Sequence, residues 1–114
     1  AGLLLRRALM AAPIHAFICG VAGTSLTPQE REFLAEHKPF GVILFARNCE
    51  SPEQVKALTA DIRACLDHPL ASILIDQEGG RVARLKPPHW RAYPAAARFA
   101  EQASENIESA KRHT

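Results

Sequence analysis

The chain has 114 residues, enough for one small domain, and 47% of them are hydrophobic, which excludes a disordered polypeptide. A net charge of +2 is too small to favour a nucleic-acid partner. The cysteines are odd in number and lack a C-x-x-C spacing, and the histidines occur singly, so we predict no disulfide framework, metal site or cofactor; the cysteines are Cys19, Cys49 and Cys65.

The first residues are interpreted separately from the domain. The run Leu3-Leu4-Leu5 is followed at once by Arg6-Arg7, which makes it too short for a signal-peptide core or a membrane span. Met10 is the only methionine, and the sequence after it is typical of a protein start. We therefore predict an N-terminal extension over residues 1–13, with residues 1–9 as upstream translation, and one domain over residues 14–114. Without a targeting segment, the expected location is the cytoplasm, with no membrane partner.

The domain opens with a predicted strand and a capped helix. Residues 16–19 are an apolar run closed by glycines, which indicates a buried strand. Thr27 and Glu30 are placed to form a capping box, with a proline between them at the first helical position. The helix is predicted to bury Phe33 and Leu34 and to end at the next proline.

A second strand and helix follow the same order. Residues 41–45 are apolar without alternation, which suits a strand covered on both faces. Ser51 is the predicted cap of a helix with one apolar stripe at spacings of three and four, formed by Val55, Leu58, Ile62 and Leu66. His68-Pro69 is predicted to end this helix, and residues 73–75 to form the third strand.

The alternation of strands and helices predicts an α/β fold with parallel βαβαβ units. Two architectures are compatible with this order: an open doubly wound sheet and the first part of a (β/α)8 barrel. Beyond the third strand, residues 86–91 predict a stiff proline-rich loop and residues 94–99 a short alanine-rich turn. Ser104 is the predicted cap of a last helix running to Thr114.

The candidate site follows the third strand, where residues 72–85 read S-I-L-I-D-Q-E-G-G-R-V-A-R-L. Polar groups at the carboxyl end of a parallel strand are where α/β proteins bind ligands. The Asp76 carboxylate can accept hydrogen bonds from vicinal hydroxyls, and the Arg84 guanidinium can donate to the same ligand. Alternatively, Asp76 caps backbone amides and pairs with Arg84. The spacing leaves both interpretations open.

Neighbouring residues have mainly structural interpretations. The Glu78 carboxylate is predicted to bind backbone amides of the loop, and Gly79 and Gly80 to permit positive φ angles. Arg47 and Asn48 follow the second strand and either face the site or support its loop; the sequence does not separate these roles.

Trp90 and Cys49 are two further side chains with chemically useful groups. Trp90 lies in the proline-rich loop, where packing is a more frequent role than stacking on a sugar ring. Cys49 has no histidine partner at a meaningful spacing, so a thiol nucleophile is not predicted.

Four segments together resemble glycoside hydrolase family 3, and most closely its bacterial β-N-acetylglucosaminidases of peptidoglycan recycling. They are residues 17–23, Leu26-Thr27, residues 39–48 (P-F-G-V-I-L-F-A-R-N) and residues 75–85 (I-D-Q-E-G-G-R-V-A-R-L). The resemblance implies the N-terminal part of a (β/α)8 TIM barrel, incomplete in this chain. It also implies hydrolysis of terminal non-reducing β-linked N-acetylglucosamine from muropeptides. The substrate-contacting Asp and Arg of the family fall on Asp76 and Arg84.

The catalytic residues of the family have no counterpart in this sequence. The nucleophilic aspartate and the proton-transferring histidine belong to later segments, expected beyond Thr114. A retaining glycosidase needs groups on both sides of the scissile bond, and neither Asp76 nor Glu78 is assigned such a role. We therefore expect a saccharide substrate, activity in the full-length protein, and none in this chain alone.

Two alternatives remain: another family 3 enzyme of the β-glucosidase type, or a non-catalytic sugar-binding or structural half-barrel. Three strands cannot close a barrel, so we also expect two unpaired sheet edges and an uncovered apolar face.

Overall fold

The computed structural model describes residues 13–112, so the predicted extension over residues 1–13 lies, apart from Pro13, outside the described part of the chain. In chain order the elements are β1 (His15–Cys19), α1 (Pro28–His37), β2 (Pro39–Leu44), a 3-10 turn (Ala46–Asn48), α2 (Pro52–Leu66), β3 (Ser72–Ile75), α3 (Ala96–Glu105) and α4 (Ile107–Arg112). No helix in this range is long and apolar enough to cross a membrane.

Among the described residues, the three strands form one parallel sheet in the order β1-β2-β3. The pairing of β2 with β3 is continuous from Gly41 opposite Ser72 to Leu44 opposite Ile75. The pairing of β1 with β2 shifts register within β1. The predicted parallel βαβαβ order is confirmed, and it brings the carboxyl ends of all three strands to one edge of the sheet.

The start of α1 is held by the predicted capping box. Thr27 Oγ1 accepts a hydrogen bond from Glu30 N at 3.1 Å, and Glu30 Oε1 accepts one from Thr27 N at 3.1 Å. Glu30 Oε2 accepts a further bond from Ala22 N at 3.0 Å, which ties the helix to the end of β1. Partial burial raises the pKa of the Glu30 carboxyl, but these hydrogen bonds outweigh burial and lower it overall.

The helix ends at His37, two residues before the proline that was predicted to end it. Lys38 adopts the left-handed conformation (φ 44°, ψ 60°) and donates its backbone N–H to Leu34 O, while Pro39 already belongs to β2. A proline is tolerated as the first residue of a strand because no ladder hydrogen bond needs its missing N–H. The Lys38 ammonium donates to Leu66 O at 3.1 Å and therefore also stabilises the C-terminus of α2.

The core lies between the sheet and the two crossover helices. Val42 and Leu44, alternate residues of β2, belong to one buried cluster with Leu34 of α1 and with the apolar stripe of α2, formed by Leu58, Ile62 and Leu66. Alternate residues of a strand point to the same face of a sheet, so α1 and α2 cover the same face.

The opposite face of the sheet has no such cover among the described residues. Ile43 lies directly across from Leu74 in the parallel ladder, and Ile18 lies across from Gly41. These residues alternate with those of the core, and Ile18 and Leu74 are 47% and 39% exposed. The predicted uncovered apolar face is therefore present in the described range.

Two sequence-based expectations are wrong. Phe33 is 43% exposed rather than buried: its ring packs in a T-shaped arrangement against Phe17 of β1, which is itself 36% exposed. Ser104 caps no helix: it lies inside α3, and its hydroxyl donates to Glu101 O at 2.7 Å. The break comes at Asn106, whose side chain accepts from Glu108 N at the start of α4.

We expect the 114-residue chain on its own to self-associate and to bind a hydrophobic dye, because Ile18 and Leu74 expose apolar surface beside unpaired strand edges. Replacing both residues by threonine should reduce the self-association measured by sedimentation velocity several-fold. Leu70→Thr is the matched control, since Leu70 is 84% exposed but lies outside the sheet, and it should change little. A monomeric wild-type chain with a sharp cooperative melt would contradict this expectation.

Candidate functional site

Two strand ends supply the polar groups of the candidate site. The backbone leaves β2 through the 3-10 turn at Ala46–Asn48 and leaves β3 at Asp76. Because the two strands are parallel and in continuous register, the carboxyl ends of β2 and β3 lie at the same edge of the sheet. The loop from Asp76 to Leu85 then returns toward this edge.

Asp76 and Arg84 face each other across this loop. Arg84 Nη2 lies 4.0 Å from Asp76 Oδ2, which is within range of an ion pair but beyond a hydrogen bond. The Asp76 side chain is 51% exposed and the Arg84 side chain 28% exposed. The structure thus brings the two predicted ligand-binding residues together without joining them tightly.

Both side chains retain unused hydrogen-bonding capacity. Within residues 13–112 the Asp76 carboxylate accepts no hydrogen bond, so the alternative in which it caps backbone amides is not observed. Arg84 Nε is buried and has no hydrogen-bond partner in the same range. A buried donor left unpaired costs free energy, so a hydrogen-bond acceptor placed beside Arg84 would be favourable.

The tip of the loop is a tight backbone turn. Glu78 N and Gly79 N both donate to Val82 O, at 2.8 and 3.1 Å, and Gly80 N donates to Tyr93 O at 2.8 Å. Gly79 and Gly80 have φ angles of 86° and 58°, as predicted for glycines that permit the left-handed region. The prediction for the Glu78 carboxylate is wrong: its backbone N–H, not its side chain, holds the turn, because the chain reversal supplies the acceptor.

Gln77 performs the role that the sequence analysis gave to Glu78. Its Oε1 accepts from Arg84 N at 2.9 Å and from Leu85 N at 3.0 Å, and its Nε2 donates to Leu85 O at 2.9 Å. The sequence reasoning missed this residue because the two acids beside it drew attention. The available signal was its chemistry: unlike the two carboxylates beside it, an amide can both donate to and accept from backbone groups.

The open question about Asn48 is resolved in favour of support. Asn48 is fully buried; its Oδ1 accepts from Phe45 N at 2.8 Å, and its Nδ2 donates to Val21 O at 3.1 Å and to Gly23 O at 2.7 Å. The side-chain hydrogen bonds tie the segment that follows β2 to the segment that follows β1. Both Nδ2 hydrogens are used and the side chain is fully buried, so Asn48 is not exposed to a ligand.

Arg47 also contacts the scaffold. Its Nε donates to Val21 O at 3.2 Å, and its guanidinium lies 4.8 Å from the centre of the Phe45 ring.

The remaining candidate side chains show no sign of chemistry. Burial raises the pKa of the Cys49 thiol, which opposes thiolate formation and a nucleophilic role. Trp90 is half-buried with its ring against His89, a packing contact. Within the described residues, no cluster of His, Cys, Asp and Glu is placed to hold a metal ion.

Comparison with known proteins gives a consistent set of relatives. A β-hexosaminidase of Stenotrophomonas maltophilia (strain K279a) is 41% identical over 99 residues, covering 84% of this chain and 29% of that protein. A β-hexosaminidase of Aromatoleum aromaticum is 45% identical over 83 residues, covering 73% of this chain and 23% of that protein. No protein-family model matches the chain.

Solved structures agree with these relatives. NagZ from Neisseria gonorrhoeae, determined in complex with N-trifluoroacetyl-D-glucosamine, matches with a TM-score of 0.78 and 31% identity over 88% of this chain and 29% of NagZ. A glycoside hydrolase family 3 β-N-acetylglucosaminidase from Paenibacillus matches with a TM-score of 0.62 and 30% identity, covering 84% of this chain and 20% of that chain. The chain thus spans less than a third of the length of its relatives. The fold of the chain matches part of the fold of these glycoside hydrolases, which favours the (β/α)8 barrel over the doubly wound sheet.

Replacing Asn48 by alanine should destabilise the protein by about 2–4 kcal/mol, because in a buried site Phe45 N and Gly23 O would lose their side-chain partner and Val21 O one of its two donors. Urea unfolding of the full-length protein that carries this segment measures the loss. Thr59→Ala removes one hydrogen bond from an exposed helix position and should cost less than about 0.5 kcal/mol. Equal effects of the two substitutions would refute the anchoring role.

Gly79→Ala should destabilise the loop by about 2–4 kcal/mol, because the residue has a positive φ and the added Cβ would lie 2.3 Å from Pro94 O. Gly23→Ala is the matched control: no atom lies within 4 Å of its Cβ position, and it should cost less than about 1 kcal/mol. Thermal unfolding of both variants measures the loss. An unchanged melting temperature for Gly79→Ala would contradict the requirement for a positive φ at this position.

Proposed function

We propose that this chain, a segment of a glycoside hydrolase family 3 protein of the β-hexosaminidase type, supplies part of a sugar-binding subsite. The predicted resemblance to family 3 agrees with the relatives in both sequence and fold. The protein that carries the segment then hydrolyses terminal, non-reducing β-linked N-acetylglucosamine.

One observation carries the role of the segment: the loosely joined Asp76 and Arg84 side chains at the carboxyl end of β3. A carboxylate that accepts no hydrogen bond in the described range can accept two from the vicinal hydroxyls of a sugar. A guanidinium 4.0 Å away can donate to the same sugar without first breaking a short ion pair. The two groups together offer acceptors and donors to one ligand.

The proposal concerns binding rather than bond cleavage. A retaining glycosidase places a nucleophile and an acid/base about 5–5.5 Å apart across the glycosidic bond. Glu78 is exposed and only its backbone N–H bonds within the loop tip, and Asp76 stands beside an arginine, so neither is assigned to these roles. The nucleophilic aspartate and the catalytic histidine are expected in segments that follow this one in the full-length protein.

Names of the relatives support N-acetylglucosamine over glucose. The curated relatives are β-hexosaminidases, and one matched structure holds an N-acylated glucosamine derivative. We further propose muropeptide fragments of the cell wall as the natural substrate and the cytoplasm as the location, both of which the resemblance to family 3 implies. Neither a β-glucosidase nor a non-catalytic half-barrel is favoured by any contact in the described residues.

Asp76→Ala and Arg84→Ala should each lower kcat/KM for a chromogenic β-N-acetylglucosaminide by roughly 100-fold, since each removes charge-assisted hydrogen bonds of about 1.5–3 kcal/mol. The assay uses the full-length protein that carries the segment. A second acid–arginine pair provides the control: Arg31 and Asp61 lie 2.8 Å apart on α1 and α2, both 46% exposed. Alanine at either of these positions should change kcat/KM less than twofold. Equal losses in both pairs, or no activity in the wild type, would refute the proposal.

A further inference from the structure

The Gln77 side chain binds backbone groups at the far end of the loop. Its side-chain amide accepts from Arg84 N and Leu85 N and donates to Leu85 O, at distances of 2.9 to 3.0 Å. Binding both the N–H and the C=O of Leu85 fixes the orientation of the backbone as well as its distance from β3. The loop is thereby closed across seven to eight residues at the point where Arg84 leaves it.

The other backbone contacts of the loop lie at its tip. Glu78 N and Gly79 N bind Val82 O, and Gly80 N binds Tyr93 O. None of these contacts holds the backbone of Arg84 directly. In the described range, Gln77 is the residue whose side chain bonds to the Arg84 backbone.

The Arg84 side chain has little else to orient it. Asp76 Oδ2 lies 4.0 Å from Nη2, and Nε is buried without a hydrogen-bond partner among residues 13–112. Since no short hydrogen bond from these residues holds the guanidinium, its position depends on where the backbone places its Cα. Small displacements of a binding group cost affinity, because the group must then be ordered when the ligand arrives.

We propose that Gln77 is a positioning residue that holds Arg84 in register with Asp76 for recognition of the sugar. This inference rests on the proposed function, and it names a further determinant of the same subsite. The role of Gln77 is indirect: it acts through the Arg84 backbone and not by contact with the ligand.

A double-mutant cycle in the full-length protein tests this role, with a chromogenic β-N-acetylglucosaminide as substrate. Gln77→Ala should lower kcat/KM roughly tenfold, mainly by raising KM, because remote positioning is lost while the catalytic groups remain in place. In an Arg84→Ala background the same substitution should change KM less than twofold. Gln77→Glu keeps the acceptor for the two amides but loses the donor to Leu85 O, so its KM should lie between wild type and Gln77→Ala.

Gln54→Ala is the matched control for a purely structural effect. Gln54 also makes three side-chain hydrogen bonds to backbone groups: it accepts from Glu50 N and donates to Thr24 O and Asn48 O. Its loss should lower the melting temperature as much as Gln77→Ala but leave KM unchanged. The inference is overturned if Gln54→Ala raises KM equally, or if Gln77→Ala raises KM by the same factor with and without Arg84.

The two levels of the proposal separate in this experiment. An active wild type whose Gln77 and Arg84 effects are additive would overturn only the role of Gln77. A wild type that does not hydrolyse the β-N-acetylglucosaminide would overturn the proposed function, and the inference with it. If Gln77→Ala fails to fold, the Gln77→Glu arm decides, since an unchanged KM in that variant also overturns the role.

Discussion

Parallel pairing of β1, β2 and β3 is the constraint on which the rest of the structure depends. Each parallel connection needs a crossover, and crossovers of one hand place α1 and α2 on the same face of the sheet. The buried cluster around Val42 and Ile62 then forms on that face. The same pairing sends every strand out at one edge, where the candidate site lies, and leaves Ile18 and Leu74 exposed on the other face.

Neutral amides hold the segments that leave this edge. Asn48 joins the segments that follow β1 and β2, Gln54 joins the same segments to the start of α2, and Gln77 closes the loop after β3. An amide is suited to this work because it donates and accepts at once; at the fully buried Asn48, burial of an amide also costs less than burial of a charge. Structural ties in this region are therefore made without the carboxylate of Asp76. That carboxylate is therefore available to accept hydrogen bonds from a ligand.

Periodicity and capping chemistry predicted the elements well, because they are local properties of the chain. Thr27 and Ser51 cap the helices that the sequence assigned to them, and the stripe through Leu58 and Leu66 is buried. The error at Ser104 was local, because the helix around it already begins at Ala96, whereas the other errors arose where a distant partner decides. Phe33 depends on what covers β1, and the roles of Gln77 and Glu78 depend on how a loop folds back, which spacing alone does not state.

The exposed sheet face and the candidate site are linked through β3. Leu74 lies on that face, and Asp76 follows two residues later at the strand end. Any element that covers Leu74 also lowers the dielectric constant around the adjoining strand end, which strengthens every charge interaction there. Arg84 Nε is already buried and has no partner in the described part of the chain, so further burial raises the cost of leaving it unpaired. A sugar hydroxyl that satisfied this donor would then bind more tightly in a completed domain than on the open sheet. Completion of the fold and affinity for the ligand are, on this argument, coupled through one arginine.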